Sequence, residues 1–306
     1  MNKKQGFGVS HAKIILIGEH SVVYGYPGIS LPFLVLKAKV NVRLSDEDTL
    51  ISTLFRGPMN GLPQELLFIK YLVDELRTAL HYGPVQLEIE NQIPNSAGMG
   101  SSAAISGAIV QALYDLSNTP LSSSLRFEKT QLAEKLVHGS ASGIDALTTA
   151  NNHAWYFIKG KEPESLKINL PAYLVVANTG VKGSTKEAVS RVAKLYSQNL
   201  AQAHLESLGL MAILVKEAID KGSVEEIAKY MNQAHYHLQE LEVSHPQLDA
   251  MVESANRLGA LGAKLTGGGL GGSMIALFDN QSLAEKLVKH FQTNMTKEVW
   301  MMNLKA

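Results

Sequence analysis

The period of hydrophobic and polar residues changes several times along this chain, and each change marks an element. Residues 14–17 form a short unbroken apolar run closed by Gly18, the pattern of a buried strand. Residues 38–44 alternate as a half-buried strand does. After Pro63 a helix is predicted over 65–80, with Leu66, Ile69, Leu72, Val73, Leu76 and Leu80 on one face. Gly83 and Pro84 end it, and residues 85–89 alternate again. A loop over 93–102 opens a run of small and apolar residues, 103–116, expected to be a buried helix. A second helix is expected over 130–137, and strands at 154–158 and 174–177.

The second half changes character. Helical periodicity covers 186–203, 206–221, 224–241 and 247–258. Strand-like 262–265 and 273–277 flank a glycine loop, and 283–292 reads as a last helix. The composition shift near 180–184 divides the chain into expected domains 1–182 and 183–306. Strands and helices cluster separately rather than alternating regularly, so the expected class is α+β.

A chain of 306 residues fits about two domains and can bury a substantial core. Lys plus Arg equals Asp plus Glu at 28 each, without the basic excess expected of a nucleic-acid binder. No apolar run approaches the length of a membrane-spanning helix, and the N-terminus lacks an apolar signal core. These features predict a cytoplasmic protein with neither nucleic-acid nor membrane partners. With no cysteine, disulfides, thiolate metal sites and a cysteine nucleophile are excluded.

The chemistry concentrates at 94–104: Pro94, Asn95, Ser96, Ala97, Gly98, Met99, Gly100, Ser101, Ser102, Ala103 and Ala104. Glycines let backbone approach an anion and turn N–H groups toward it. A helix starting at the end of such a loop adds unpaired N–H groups and the positive end of its dipole. By itself the loop is equally a glycine turn with a serine cap. Gly98, Gly100 and Ala103 fit a dinucleotide fingerprint, as Gly267, Gly269 and Gly272 do, but neither has the strand–helix–acid context that fingerprint needs. No P-loop motif occurs, and the His-Arg-Asp and Asp-Phe-Gly pair of protein kinases is missing.

Three separated segments point one way: Lys13 to Gly25 with Gly18, Glu19, His20 and Tyr24; the loop at 94–104; and Lys264, Leu265 and Thr266 followed by five glycines in six positions, 267–272. Together they resemble the GHMP superfamily of small-molecule kinases, named for galactokinase, homoserine kinase, mevalonate kinase and phosphomevalonate kinase. Glu19-His20 followed by Ser21, Val22, Val23, Tyr24 and Gly25, and the stretch from Glu134 through His138 and Ser142 to Asp145, look like the mevalonate kinase branch. Two positions depart from the pattern: His11-Ala12 replaces a usual Pro-Gly, and Met99 a usual Leu. Neither removes a reactive group.

The resemblance implies a ribosomal-protein-S5-like N-terminal domain, a ferredoxin-like C-terminal domain and an active site in the cleft between them. It implies ATP-dependent phosphorylation of mevalonate to 5-phosphomevalonate in isoprenoid-precursor synthesis. The alternatives are a sibling kinase acting on phosphomevalonate, homoserine or a sugar, a related decarboxylase, or a non-catalytic sensor of the same fold. Asp145 would accept or orient the alcohol proton and Lys13 would lie beside it. Ser102 and Glu134 would hold Mg²⁺. Pro94, Ser96, Ala97, Gly98, Met99, Gly100, Ser101, Ser102, Ala103 and Gly268 would line the ATP site. Glu19, His20, Asn178 and Thr179 would face mevalonate. A homodimer is left open.

Read without the resemblance, several of these residues have plainer expectations. Glu134 lies roughly opposite Leu132 and Leu136 on its helix, so the pattern alone turns it to solvent. Lys13, beside an apolar run, would snorkel outward. Asp145 would be a cap or turn former, and His20 a hydrogen-bonded turn histidine. His235, His237 and His245 are expected to be solvated helix residues.

Overall fold

The computed structural model describes residues 4–138 and 142–305. Residues 139–141, within the motif that runs from Glu134 to Asp145, lie outside them. The chain forms two compact units of interleaved segments. The first comprises Met1–Lys13, Leu36–Ile93 and Gly100–Asn152; the second comprises Ile14–Val35, Pro94–Met99 and His153–Ala306. Two long strands, β1 (Gln5–Ile17) and β2 (Gly28–Leu44), contribute to both.

In the first unit β2 pairs antiparallel with β5 (Val85–Asn91), from Ala38 opposite Asn91 to Leu44 opposite Val85. The short strand β3 (Thr49–Ile51) runs parallel to β5, and β4 (Arg56–Pro58) closes a hairpin on β3. Helix α1 (Leu67–Leu80) buries the predicted apolar face, now including Phe68. It stops at His81, whose left-handed backbone turns its N–H to Arg77 O.

Helix α2 (Ser101–Leu116) is buried along nearly its whole length. It packs with α1, with α3 (Ser123–His138) and with α4 (Ile144–Ala150). Gly6 and Gly8 of β1 explain how strand and helix come so close. A Cβ on Gly8 would sit 2.0 Å from Ala108 O, and one on Gly6 2.2 Å from Ala112 O. Arg126 of α3 fastens the same seam by donating to Val9 O and Gly107 O. His11-Ala12, standing where the family pattern has Pro-Gly, lies inside β1. The strand runs on through buried Ala12 into Lys13, and His11 hydrogen-bonds with Ala12 O and Asn151 O.

In the second unit β2 pairs through Gly28–Ser30 with β6 (Ala154–Phe157), which pairs with β7 (Glu164–Leu166). A separate antiparallel sheet has the order β11-β8-β10-β9: β8 (Tyr173–Asn178), β9 (Gly262–Thr266), β10 (Ser273–Phe278) and β11 (Val299–Asn303). Every residue of β9 and β10 is buried, as expected of strands covered on both faces. The unit's helices are α5 (Thr185–Ser197), α6 (Gln202–Lys221), α7 (Val224–Glu240), α8 (Pro246–Arg257) and α9 (Gln281–Asn294). Of these α7, α8 and α9 pack on the sheet, and α6 packs on α7. Asn232 of α7 locks the register by bonding both Leu261 O and Ala263 N.

The expected α+β class is borne out. Helix 186–203 ends earlier, at Ser197, and β3, β4, β7, β11 and α4 lacked a pattern long enough to register. Of the three histidines expected to be solvated, His235 is buried, while His237 and His245 stay partly exposed with side-chain partners. His235 is buried against Asp249 at 3.2 Å and accepts from Leu265 N. His237 lies 3.0 Å from His204, nitrogen to nitrogen, and His245 caps α8 by accepting from Gln247 N. Burial lowers the pKa of His235 to about 4. Among the described residues no helix is long and apolar enough to cross a membrane.

Candidate active site

The first unit gathers four of the predicted residues. Lys13, on β1, is only 2% exposed, and its Nζ lies 3.0 Å from Asp145 Oδ1. It does not snorkel, because β1 lies on α2 and leaves its side chain inside. Asp145 stands in the first turn of α4, where a carboxylate also gains from the helix dipole. Its side chain keeps a third of its surface exposed. Gly100 makes room for the lysine, since a Cβ there would lie 2.9 Å from Lys13 Cγ, and its φ is +73°.

Glu134 corrects the helical pattern. It is 2% exposed, while Leu136 is 53% exposed, so α3 is turned with its acid inward. The carboxylate hydrogen-bonds Ser102 at the start of α2. Burial, and then the charge of Asp145, push the Glu134 carboxyl up to about 7; Ser102 and Lys13 pull the other way. A buried acid beside a second carboxylate and one lysine is a hard-oxygen group short of positive charge.

The N-terminus of α2 adds an anion-binding element. Its cap is Gly100, which has no side chain to satisfy the first turn, and the first intrahelical bond runs from Ala104 N to Gly100 O. The amides at the start of such a helix present partial positive charge. Ser101 Oγ accepts from Asn91 Nδ2 at 3.0 Å.

In the second unit the rest of that loop meets the other glycine loop. Backbone touches backbone, since a Cβ on Gly98 would lie 3.2 Å from both Gly267 Cα and Thr266 O. Gly183 N donates to Ser96 O. Ser96, Ala97, Gly98, Gly183, Thr185, Gly268, Gly269, Gly271 and Gly272 line one small cavity.

Ile15 to His20 is fastened to β9 and the loop after it at three points. Thr266 Oγ1 donates to Ile15 O at 2.8 Å and accepts from Ile15 N at 3.0 Å. Glu19 forms an ion pair with Lys264, whose Nζ also donates to Leu265 O. His20 Nε2 lies 3.0 Å from Gly268 O, so that nitrogen carries the proton and Nδ1 is the acceptor. Ser21 N donates to Glu19 O at 2.7 Å across His20, whose φ of 62° and ψ of −45° give the positive-φ form of the γ-turn. For a histidine that backbone costs on the order of 1–3 kcal/mol. Burial, with the Lys264 charge opposing protonation, lowers the His20 pKa to about 4.

Asn178 ends β8 with its amide donating to Glu298. Thr179 uses both its hydroxyl and its backbone N–H to hold Gly272 O, at 2.9 Å each. Both side chains therefore have protein partners. Lys264 stands in the third motif, and the resemblance assigns it no role. The signal was a lysine inside an otherwise small and apolar strand. Among the described residues no group of three or more His, Asp or Glu could hold a metal ion.

Comparison with known proteins gives the family. The model of the GHMP kinases N terminal domain matches residues 67–151, and that of the GHMP kinases C terminal region matches 215–297. The mevalonate kinase of Pyrococcus horikoshii is 33% identical over 292 residues, covering 87% of this chain and 86% of that protein. The crystal structure of mevalonate kinase from methicillin-resistant Staphylococcus aureus is 30% identical. It covers 99% of this chain and 100% of its own, with a TM-score of 0.78. The mevalonate kinase of L. major, crystallised with R-mevalonate, shares the fold at 23% identity, with a TM-score of 0.83 and full coverage of both chains. Two domain matches in chain order, and a relative one third identical over most of both lengths, place the chain in the mevalonate kinase family of the GHMP kinases.

Proposed function

We propose that this enzyme transfers the γ-phosphoryl group of ATP to the primary hydroxyl of mevalonate, giving 5-phosphomevalonate and ADP. The observation that carries the reading is the Lys13–Asp145 pair at the uncapped start of α2, with Glu134 hydrogen-bonded to Ser102 beside it. The names of the relatives support mevalonate as the alcohol.

Asp145 orients the hydroxyl and accepts its proton as the new P–O bond forms and the bond to ADP breaks. Loose phosphoryl transfer puts little demand on early deprotonation, so orientation is the larger part. Lys13 holds the Asp145 carboxylate by its ion pair and faces charge developing on the transferring oxygens. The amides of Gly100, Ser101, Ser102 and Ala103 hold phosphate oxygens, while Pro94, Ser96, Ala97, Gly98, Met99 and Gly268 approach the nucleotide through backbone. Glu134 and Ser102 suit Mg²⁺, which takes hard oxygen ligands and few of them from protein. The raised carboxyl of Glu134 is the mark of that fit, because a cation would relieve the crowding of acids. When bound, Mg²⁺ supplies neutralisation of phosphate charge. His20 accepts a hydrogen bond from the alcohol substrate through Nδ1, while Asn178 and Thr179, held by Glu298 and Gly272 O, shape the turn after β8.

The test is ADP release with Mg·ATP against mevalonate, phosphomevalonate, diphosphomevalonate, homoserine and galactose. Mevalonate gives the highest kcat/KM on this reading. Equal or better turnover of another member would replace it.

A further inference from the structure

We propose that Lys264 is a positioning residue for the alcohol substrate. With Glu19 it forms a buried strut that holds the Glu19–Ser21 turn, and through it the His20 imidazole, against the second glycine loop. Glu19 is then the partner of Lys264 and not a substrate ligand. This rests on the reading of His20 given above.

Three observations carry it. First, the pair is sealed: Lys264 is 0% exposed and Glu19 is 1% exposed. Two charges removed from water so completely are retained only where each holds the other. Second, the strained residue, His20, is itself one of two adjacent tied positions. Glu19 is tied to Lys264 and His20 to Gly268 O, and the γ-turn spans Glu19 to Ser21. Strain in a turn persists when its surroundings over-determine it. Third, Lys264 is itself fixed. Its neighbour Leu265 accepts from Nζ through its carbonyl and donates through its N–H to His235, which Asp249 holds in turn.

A double-mutant cycle separates a strut from a ligand. Lys264→Met, Glu19→Gln and the double variant Glu19→Gln/Lys264→Met are compared with the wild type for kcat and for both KM values. Each single variant leaves one buried charge without its partner; the double variant leaves none. The strut predicts that Lys264→Met raises the KM for mevalonate by about tenfold or more while the KM for ATP changes less than about twofold. It also predicts that the double variant recovers at least about fivefold in kcat/KM over Glu19→Gln. If Glu19 touched the substrate, the double variant would be no better than Glu19→Gln, and that result overturns the proposal. Equal rises in both KM values also overturn it, since general loosening would cause them. Should Lys264→Met fail to fold, the comparison of Glu19→Gln with the double variant still decides. A double variant that also fails to fold, where Glu19→Gln folds, counts against the strut. A wild-type enzyme that ignores mevalonate sinks the functional reading instead.

Discussion

The two units each bring a lysine to a carboxylate, and the difference between the pairs lies in what surrounds them. Lys13–Asp145 keeps its acid a third exposed, next to a second acid that burial and repulsion push up to about 7. Lys264–Glu19 has no exposed surface to speak of, and its lysine spends a further hydrogen bond on backbone. A partly open pair can exchange partners with a substrate hydroxyl or a phosphate oxygen. A sealed pair can only hold shape. On the proposed reading, the same residue types serve chemistry in one unit and geometry in the other.

Asp145→Asn should show the largest effect, because an amide retains the shape but cannot take the alcohol proton. kcat falls on the order of 10²–10⁴-fold, with ATP affinity by calorimetry unchanged. Wild-type turnover would place Asp145 with the structural pairs. Next comes Glu134→Gln, expected to raise the Mg²⁺ concentration for half-maximal rate by about tenfold or more. An unchanged Mg²⁺ dependence would remove the reason for its burial.

The two groups also differ in the sign of their pH dependence. Glu134 has a raised folded pKa, so its contribution to stability is full below about 4.5 and is lost as pH rises through about 7. His20 and His235 have lowered values, so the folded state binds fewer protons than the unfolded, and stability is lost as pH falls from about 6.5 to about 4. In chelator-treated protein the two contributions oppose each other over the same window, about pH 4 to 7. Glu134→Gln should make stability rise more steeply with pH across it and His235→Asn less steeply, each by at most about 3 kcal/mol. A pH slope unchanged in both variants would contradict both. The smallest effect is expected from Thr179→Val. Losing the bond to Gly272 O lowers stability by about 1 kcal/mol in urea titration, while the KM for mevalonate shifts less than about threefold. A larger rise would show Thr179 reaching the substrate.

The sequence made α1 legible because one apolar face is repeated over four turns, and the same face is buried in the structure. It made α2 legible because small and apolar residues dominate from Ala103 to Leu116. Glu134 was misplaced by the same kind of reasoning. Periodicity assumes that apolar residues choose the buried face, and α3 instead turns Ala133 and Glu134 inward and leaves Leu136 in solvent. Asp145 and Lys13 were found by resemblance, since neither a lone acid after a glycine nor a lysine beside an apolar run shows its partner in the sequence. Lys264 was missed for a related reason. In a strand covered on both faces there is no alternation to break, so a buried cation leaves no periodic trace. The γ-turn at His20 was invisible because its strain is set by what Glu19 and His20 touch far along the chain.

Phosphorus NMR of the wild-type enzyme with Mg·ATP and mevalonate tests the central claim most directly. The account predicts a new phosphomonoester resonance growing in step with ADP and vanishing in Asp145→Asn. ADP appearing with inorganic phosphate and no monoester, or a monoester that persists in Asp145→Asn, would contradict it.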